Sequence, residues 1–163
     1  YYASRSSAAR MPIPVSQSTL AILAENNLPN LSSEDASELI STEIGAKMSL
    51  MDDSLDLEIV YALSEWTDIP MYAAYGAPSG PLSMAIGGTD ADVTSLEMSA
   101  SYTISDTLSL TYAGGITDTE VAAVPDPSVV TNFPAAIQVG GELYGYSPTT
   151  HSVTLQYLSL IHI

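Results

Sequence analysis

Cysteine is absent, and only three basic residues, Arg5, Arg10 and Lys47, stand against 19 acidic ones in 163 residues. Without Cys there is no disulfide framework and no thiolate zinc site. A net charge of −16 excludes nucleic acid as a partner, because phosphate binding needs clustered Lys and Arg. The same shortage excludes a polybasic lipid anchor. Charged residues make up 13% of the chain, about half the roughly 25% of an ordinary soluble domain, so polarity rests on Ser, Thr, Asn and Gln. No run of about 18 apolar residues occurs, which excludes a transmembrane helix. There is no G-x-S-x-G, no P-loop and no Cys/His nucleophile arrangement. His151 is the one histidine to consider, so a multi-His metal site is not available. No enzymatic activity, resident metal or cofactor is expected.

What the chain has is period-two alternation, and it recurs. Leu55, Leu57, Ile59, Tyr61 and Leu63 share one face, with Asp56, Glu58, Val60, Ala62 and Ser64 on the other. Leu96, Met98, Ala100, Tyr102 and Ile104 alternate with Ser95, Glu97, Ser99, Ser101 and Thr103. Leu108, Leu110 and Tyr112 repeat the pattern, as do Val153, Leu155 and Tyr157. Residues 33–49 are ambiguous: Ile44, Ala46, Met48 and Leu50 alternate, yet Ala36, Leu39, Ile40, Ile44 and Met48 also fit a helical stripe capped by Ser33.

The connections predict more than the strands do. Met51-Asp52-Asp53-Ser54 and Ser105-Asp106-Thr107 are tight turns, whereas 9–39, 70–92 and 118–150 are long and rich in Pro, Gly, Ser and Asp. Short and long connections therefore alternate, as in an outer-membrane barrel with short inner turns and long outer loops. Strands of about ten to fourteen residues exceed the usual soluble five or six and suit a tilted crossing. The apolar faces would meet lipid, with Ser, Thr, Glu and Gln facing the lumen. At a tilt of about 40°, Trp66 lies roughly 33 Å up the wall from the turn at Asp53. Trp66, Tyr72 and Tyr75 then fall at or above the outer interface, as an aromatic girdle would.

Several stretches resemble the barrel of TonB-dependent outer-membrane receptors. Glu43-Ile44-Gly45-Ala46-Lys47 matches that family's E-x-G-x-K strand. Leu50-Met51-Asp52-Asp53-Ser54-Leu55-Asp56-Leu57 matches its tight turn and apolar strand, and Glu65-Trp66-Thr67-Asp68-Ile69 its W-x-D-I/L close. Ser95-Leu96-Glu97-Met98-Ser99 followed by Ser105-Asp106-Thr107-Leu108-Ser109-Leu110 resembles the next pair, with Ser95 where the family usually has Gly. Tyr1-Tyr2-Ala3-Ser4-Arg5-Ser6 and Pro148 before His151 resemble an earlier and a later strand. The order of the motifs turns 33–49 toward loop and then strand.

The resemblance implies an all-β fold: part of an antiparallel up-and-down transmembrane barrel, about six strands of the roughly 22 in such receptors. The expected strands are 1–8, 40–51, 55–69, 93–105, 107–117 and 151–157, with the three long segments as outer loops. It implies active uptake of a scarce ligand, such as a ferric siderophore or similar iron complex, across the outer membrane of a Gram-negative bacterium. The implied partners are that ligand, outer-membrane lipid, and TonB acting through an N-terminal plug region outside this sequence. Trp66, Tyr72, Tyr75, Phe133, Tyr144 and Tyr146 are the candidate ligand contacts, and the structural alternative is that these aromatics pack the loops on one another. Lys47 is read as a structural partner of Glu43, Asp56 or Glu58. A passive porin, which lacks a plug, and a secreted acidic β-sandwich or adhesin module are the other readings. Gly87-Gly88-Thr89-Asp90-Ala91-Asp92-Val93 partly resembles a calcium nonapeptide, in one copy and without its third glycine. Asp90, Asp92, Asp118, Glu120, Asp126 and Glu142 are expected in outer loops.

The chain is expected to be a fragment. Leu158-Ser159-Leu160-Ile161-His162-Ile163 is what CTG TCT CTT ATA CAC ATC encodes, a string that resembles a transposon sequencing adapter, so 158–163 is read as an artefact. With two unpaired edges and a lipid-facing side, such a piece is expected to aggregate in water.

Overall fold

The computed structural model describes residues 1–12, 14–25, 27, 36–77, 80–124, 137–143 and 145–159, with backbone only at 71–77 and 80–87. Six strands and one helix are present: β1 (Tyr2–Arg10), α1 (Gln17–Glu25), β2 (Ser37–Leu50), β3 (Leu55–Ala77), β4 (Gly80–Ser105), β5 (Leu108–Ala123) and β6 (Thr149–Tyr157). They form a single sheet in sequence order, β1-β2-β3-β4-β5-β6, with every neighbouring pair antiparallel. The protein is thus all-β in its sheet, a meander whose edges are β1 and β6. The 33–49 ambiguity resolves to strand from Ser37 onward.

Register explains the alternation. Ile44, Tyr61, Leu96 and Ile116 stand directly opposite one another across β2–β5, and Leu50, Leu55, Tyr102, Leu110 and Leu155 make a parallel row. Side chains two apart share a face, so these rows make one apolar surface. The other face carries rows such as Lys47, Glu58, Ser99, Ala113 and Ser152. Hydroxyl pairs lace that face together: Ser64 with Ser41 at 2.9 Å and Ser49 with Asp56 at 2.7 Å.

At one end the chain reverses tightly. Met51, Asp52 and Asp53 all have positive φ (55°, 54° and 63°), the handedness that matches hairpin twist. Ser54 closes the turn, its N–H and its hydroxyl both donating to the Met51 carbonyl.

At the other end the strands run on further than the sequence suggests. Residues 70–92, expected as a loop, are mostly paired: β3 and β4 ladder from Ile69–Thr89 up to Ala77–Gly80. Likewise β5 continues to Ala123, and 9–39 holds the end of β1, helix α1 and the start of β2. Asp90, Asp92, Asp118 and Glu120 therefore sit in strands rather than loops. The physical reason is that β-bulges use the same residues as turns. One extra residue enters β3 between Trp66 and Ile69, where Asp68 has φ of 51° and donates its N–H to Asp90 Oδ1 at 2.9 Å. A second shift, between Ile69 and Met71, accommodates Pro70 and Gly88, the latter at φ 85°. The Gly87-Gly88-Thr89-Asp90 stretch is thus a bulged part of β4. Helix α1 has its own cap: Ser16 Oγ accepts the Thr19 N–H at 3.2 Å.

Candidate functional site

The two faces differ in what covers them. On the apolar face large side chains lie open to solvent: Ile44 is 63% exposed, Ile116 56% and Leu155 64%, alongside Tyr61, Leu63 and Leu96. The buried apolar residues among those described are few: Leu23, Ala62, Ile69, Ala91, Val121 and Leu143. By register Ala62, Ala91 and Val121 belong to the polar face, and Ile69, Ala91, Val121 and Leu143 form one cluster there. This inverts the usual sheet, in which the apolar face is the buried one.

On the polar face near the tight turns, Tyr2, Gly45, Lys47 and Glu58 form a four-residue cluster. Tyr2 stands opposite Gly45, and Lys47 opposite Glu58. Because Gly45 has no Cβ, the Tyr2 ring lies flat over it, in the space a methyl would fill. The Tyr2 hydroxyl then donates to Glu58 Oε1 at 3.2 Å, and Lys47 Nζ reaches the same oxygen at 3.1 Å. The Lys47 ammonium is also 5.7 Å from the Tyr2 ring centroid, within cation–π range. Of the three carboxylates considered for Lys47, the structure thus selects Glu58. Asp56 pairs instead with Ser49, and Glu43 with Ser4 at 3.3 Å. Gly114 plays a similar part on the apolar face, leaving room for Tyr112 and His151, which share a 2.9 Å hydrogen bond between the hydroxyl and Nδ1.

Beside this cluster an open groove of about 520 Å³ crosses β3–β6, lined by Glu58, Glu97, Ser99, Thr117, Thr150 and Ser152. Its chemistry is hydroxyl and carboxylate. It can donate and accept hydrogen bonds along a polar wall. Further along the sheet Glu65, Asp92 and Glu120 stand in one cross-strand row. Among the described residues no group of three or more His, Asp or Glu is placed to hold a metal ion.

The candidate aromatic contacts do not gather. Trp66 is on the polar face of β3, opposite Leu39 and Ala91, and so on the side away from the exposed apolar rows rather than in an outward girdle. Its indole N–H donates to Ser37 Oγ at 2.7 Å, and its ring packs against the Ile69 cluster. Tyr72 and Tyr75 are in β3, opposite Ala85 and Leu82, and their side chains lie outside the described residues. So do Phe133 and Tyr144 altogether. Tyr146 is 46% exposed, shortly before β6.

Two features escaped sequence reasoning. The Tyr2–Gly45 contact had a signal, a glycine inside an alternating strand, but the partner needed the register. The other feature is a strap, residues 137–143, that runs beside the far end of β5. Val121 exchanges backbone hydrogen bonds with it, donating to Gly141 O at 2.8 Å and accepting from Gly140 N–H at 2.9 Å. The Leu143 N–H donates to Thr119 Oγ1 at 3.0 Å. Leu143 is 5% exposed within the cluster, and Ile137 packs against it. No protein-family model matches the chain, and a search of curated proteins finds no match.

Proposed function

We propose that the chain is a six-strand piece of the transmembrane barrel of a TonB-dependent outer-membrane receptor. The receptor would take up a scarce ligand, a ferric siderophore or similar iron complex. The observation that carries the membrane part is the inverted sheet, apolar and exposed on one face, polar and partly covered on the other. Monomeric soluble proteins rarely expose an apolar patch beyond a few hundred Å², whereas a barrel wall in lipid needs one. From Leu55 to Leu63 the apolar face spans roughly 27 Å of strand, or roughly 20 Å at a 40° tilt, near the 25 Å band of such barrels. Beyond it the same face turns acidic at Glu65, Asp92 and Glu120, as a wall leaving lipid would. The sequential antiparallel meander and two free edges suit a piece of a larger barrel. The narrower receptor reading rests on the ordered motifs from Glu43 to Leu110, and the hydroxyl- and carboxylate-lined face supplies a polar lumen wall. No helix among the described residues is long and apolar enough to cross a membrane, which leaves strands as the means of crossing.

The absence of native cysteine makes the test direct. Single cysteines at Leu63, Leu96 and Ile116, and at Ser64, Ser95 and Thr117, are reconstituted in lipid vesicles and treated with a membrane-impermeant maleimide. The first three are expected to stay unlabelled and the second three to label. Equal labelling of both sets, or a folded monomer recovered in water without detergent, sinks the membrane reading. A parent gene without an upstream plug-coding region sinks the receptor and favours a porin.

A further inference from the structure

The strap 137–143 is held down by one buried leucine and a few backbone bonds, and its seat contains a flaw. Thr89 is 1% exposed, and its Oγ1 has no hydrogen-bond partner. It stands opposite Ile69 and two residues from Ala91, both in the cluster that Leu143 closes. A buried hydroxyl without a partner carries its full desolvation penalty, and natural cores rarely tolerate one without a reason. Nearby polar groups are otherwise satisfied: Thr119 Oγ1 accepts the Leu143 N–H, and Asp90 accepts the Asp68 N–H.

We infer that the strap is a hinged cover, poised to open, whose closed state is weakened by the dry Thr89 hydroxyl. Lifting Leu143 out of the cluster lets water reach Thr89 and repay the missing bond. The closed and open states are thereby brought close in free energy, while the strand ladders beneath remain intact. The bonds that break are those of the strap alone: Gly140 N–H to Val121 O, Val121 N–H to Gly141 O, and Leu143 N–H to Thr119 Oγ1. This device belongs to the sheet itself and operates whether or not the apolar face meets lipid.

Amide hydrogen exchange on the full chain in detergent micelles tests it. Thr89→Val replaces the hydroxyl with a methyl of the same shape, so exchange at Gly140 and Leu143 is expected to slow about tenfold or more. Amides of the β2–β3 ladder should not change. Thr89→Ser keeps the hydroxyl and should give no slowing. Leu143→Ala removes the anchor, and the same two amides should exchange at least tenfold faster. Unchanged or faster exchange in Thr89→Val overturns the inference. So does uniform slowing across the sheet, which would make the hydroxyl a cost to the whole fold rather than to the cover. Failure of Thr89→Val to fold, read as loss of the β circular-dichroism signal, would mean the hydroxyl has a required partner, and overturns it too. Leu143→Ala without effect shows that the seat does not hold the strap.

Discussion

Trp66 was a candidate ligand contact by sequence, and in the structure it is a tie between strands. Its indole N–H donates to Ser37 Oγ at 2.7 Å, and Ser37 is 3% exposed. Ser37→Ala leaves the N–H of a half-buried ring unpaired, a cost of about 1–2 kcal/mol. Trp66→Phe strands the buried Ser37 hydroxyl at a similar cost. It also removes roughly 40 Å² of packed ring, worth about 1 kcal/mol, for a total of about 2–3 kcal/mol. In the double variant neither polar group remains, so only the ring term survives. The two single losses should therefore exceed the double loss by about 1–2 kcal/mol. Urea titrations in detergent micelles, followed by far-UV circular dichroism, measure all four proteins, because Trp66 is the chain's one tryptophan. Coupling below about 0.5 kcal/mol, or a silent Ser37→Ala, would refute the tie and return Trp66 to the pool of free aromatic contacts.

Gly45→Ala puts a methyl where the Tyr2 ring lies, so it should lower the urea midpoint. In a Tyr2→Ala background the same change should be neutral or stabilising, since Ala orders more readily in a strand than Gly; an equal drop in both backgrounds would exclude the ring contact as the cause. Lys47→Met should cost at most about 1 kcal/mol, because the Lys47 and Glu58 side chains are 68% and 33% exposed. That loss should shrink in 1 M salt, and a larger, salt-independent loss in the titration would contradict a surface pair.

Period two is a local property of the chain. The alternating runs at 55–63, 96–104, 108–112 and 153–157 therefore settled strand positions and face membership before any fold was known. The sheet then aligned those faces row by row. The tight turns at 51–54 and 105–107 were equally legible, since Asp and Ser at these positions have a local reason to turn. At 33–49 two periods fitted the same residues, and pairing with β1 and β3 on either side decided for strand.

Beyond Trp66 the sequence misled, because Gly and Pro punctuate bulges and loops alike. Only pairing between β3 and β4 shows that 70–92 is a bulged hairpin, and the parity shift at Asp68 is what brings Ile69 onto the face of Trp66. The Lys47–Glu58 pair was within the range of sequence reasoning, but choosing among three carboxylates required the register. The strap, the Leu143 seat and the unpaired Thr89 hydroxyl left no local trace. Composition and alternation alone determined an acidic, strand-rich chain with one apolar and one polar face per strand. Which face is exposed, which residues stand across from one another, and what covers the polar end were decided by tertiary structure. They depend on contacts between residues dozens of positions apart, and no local propensity encodes those.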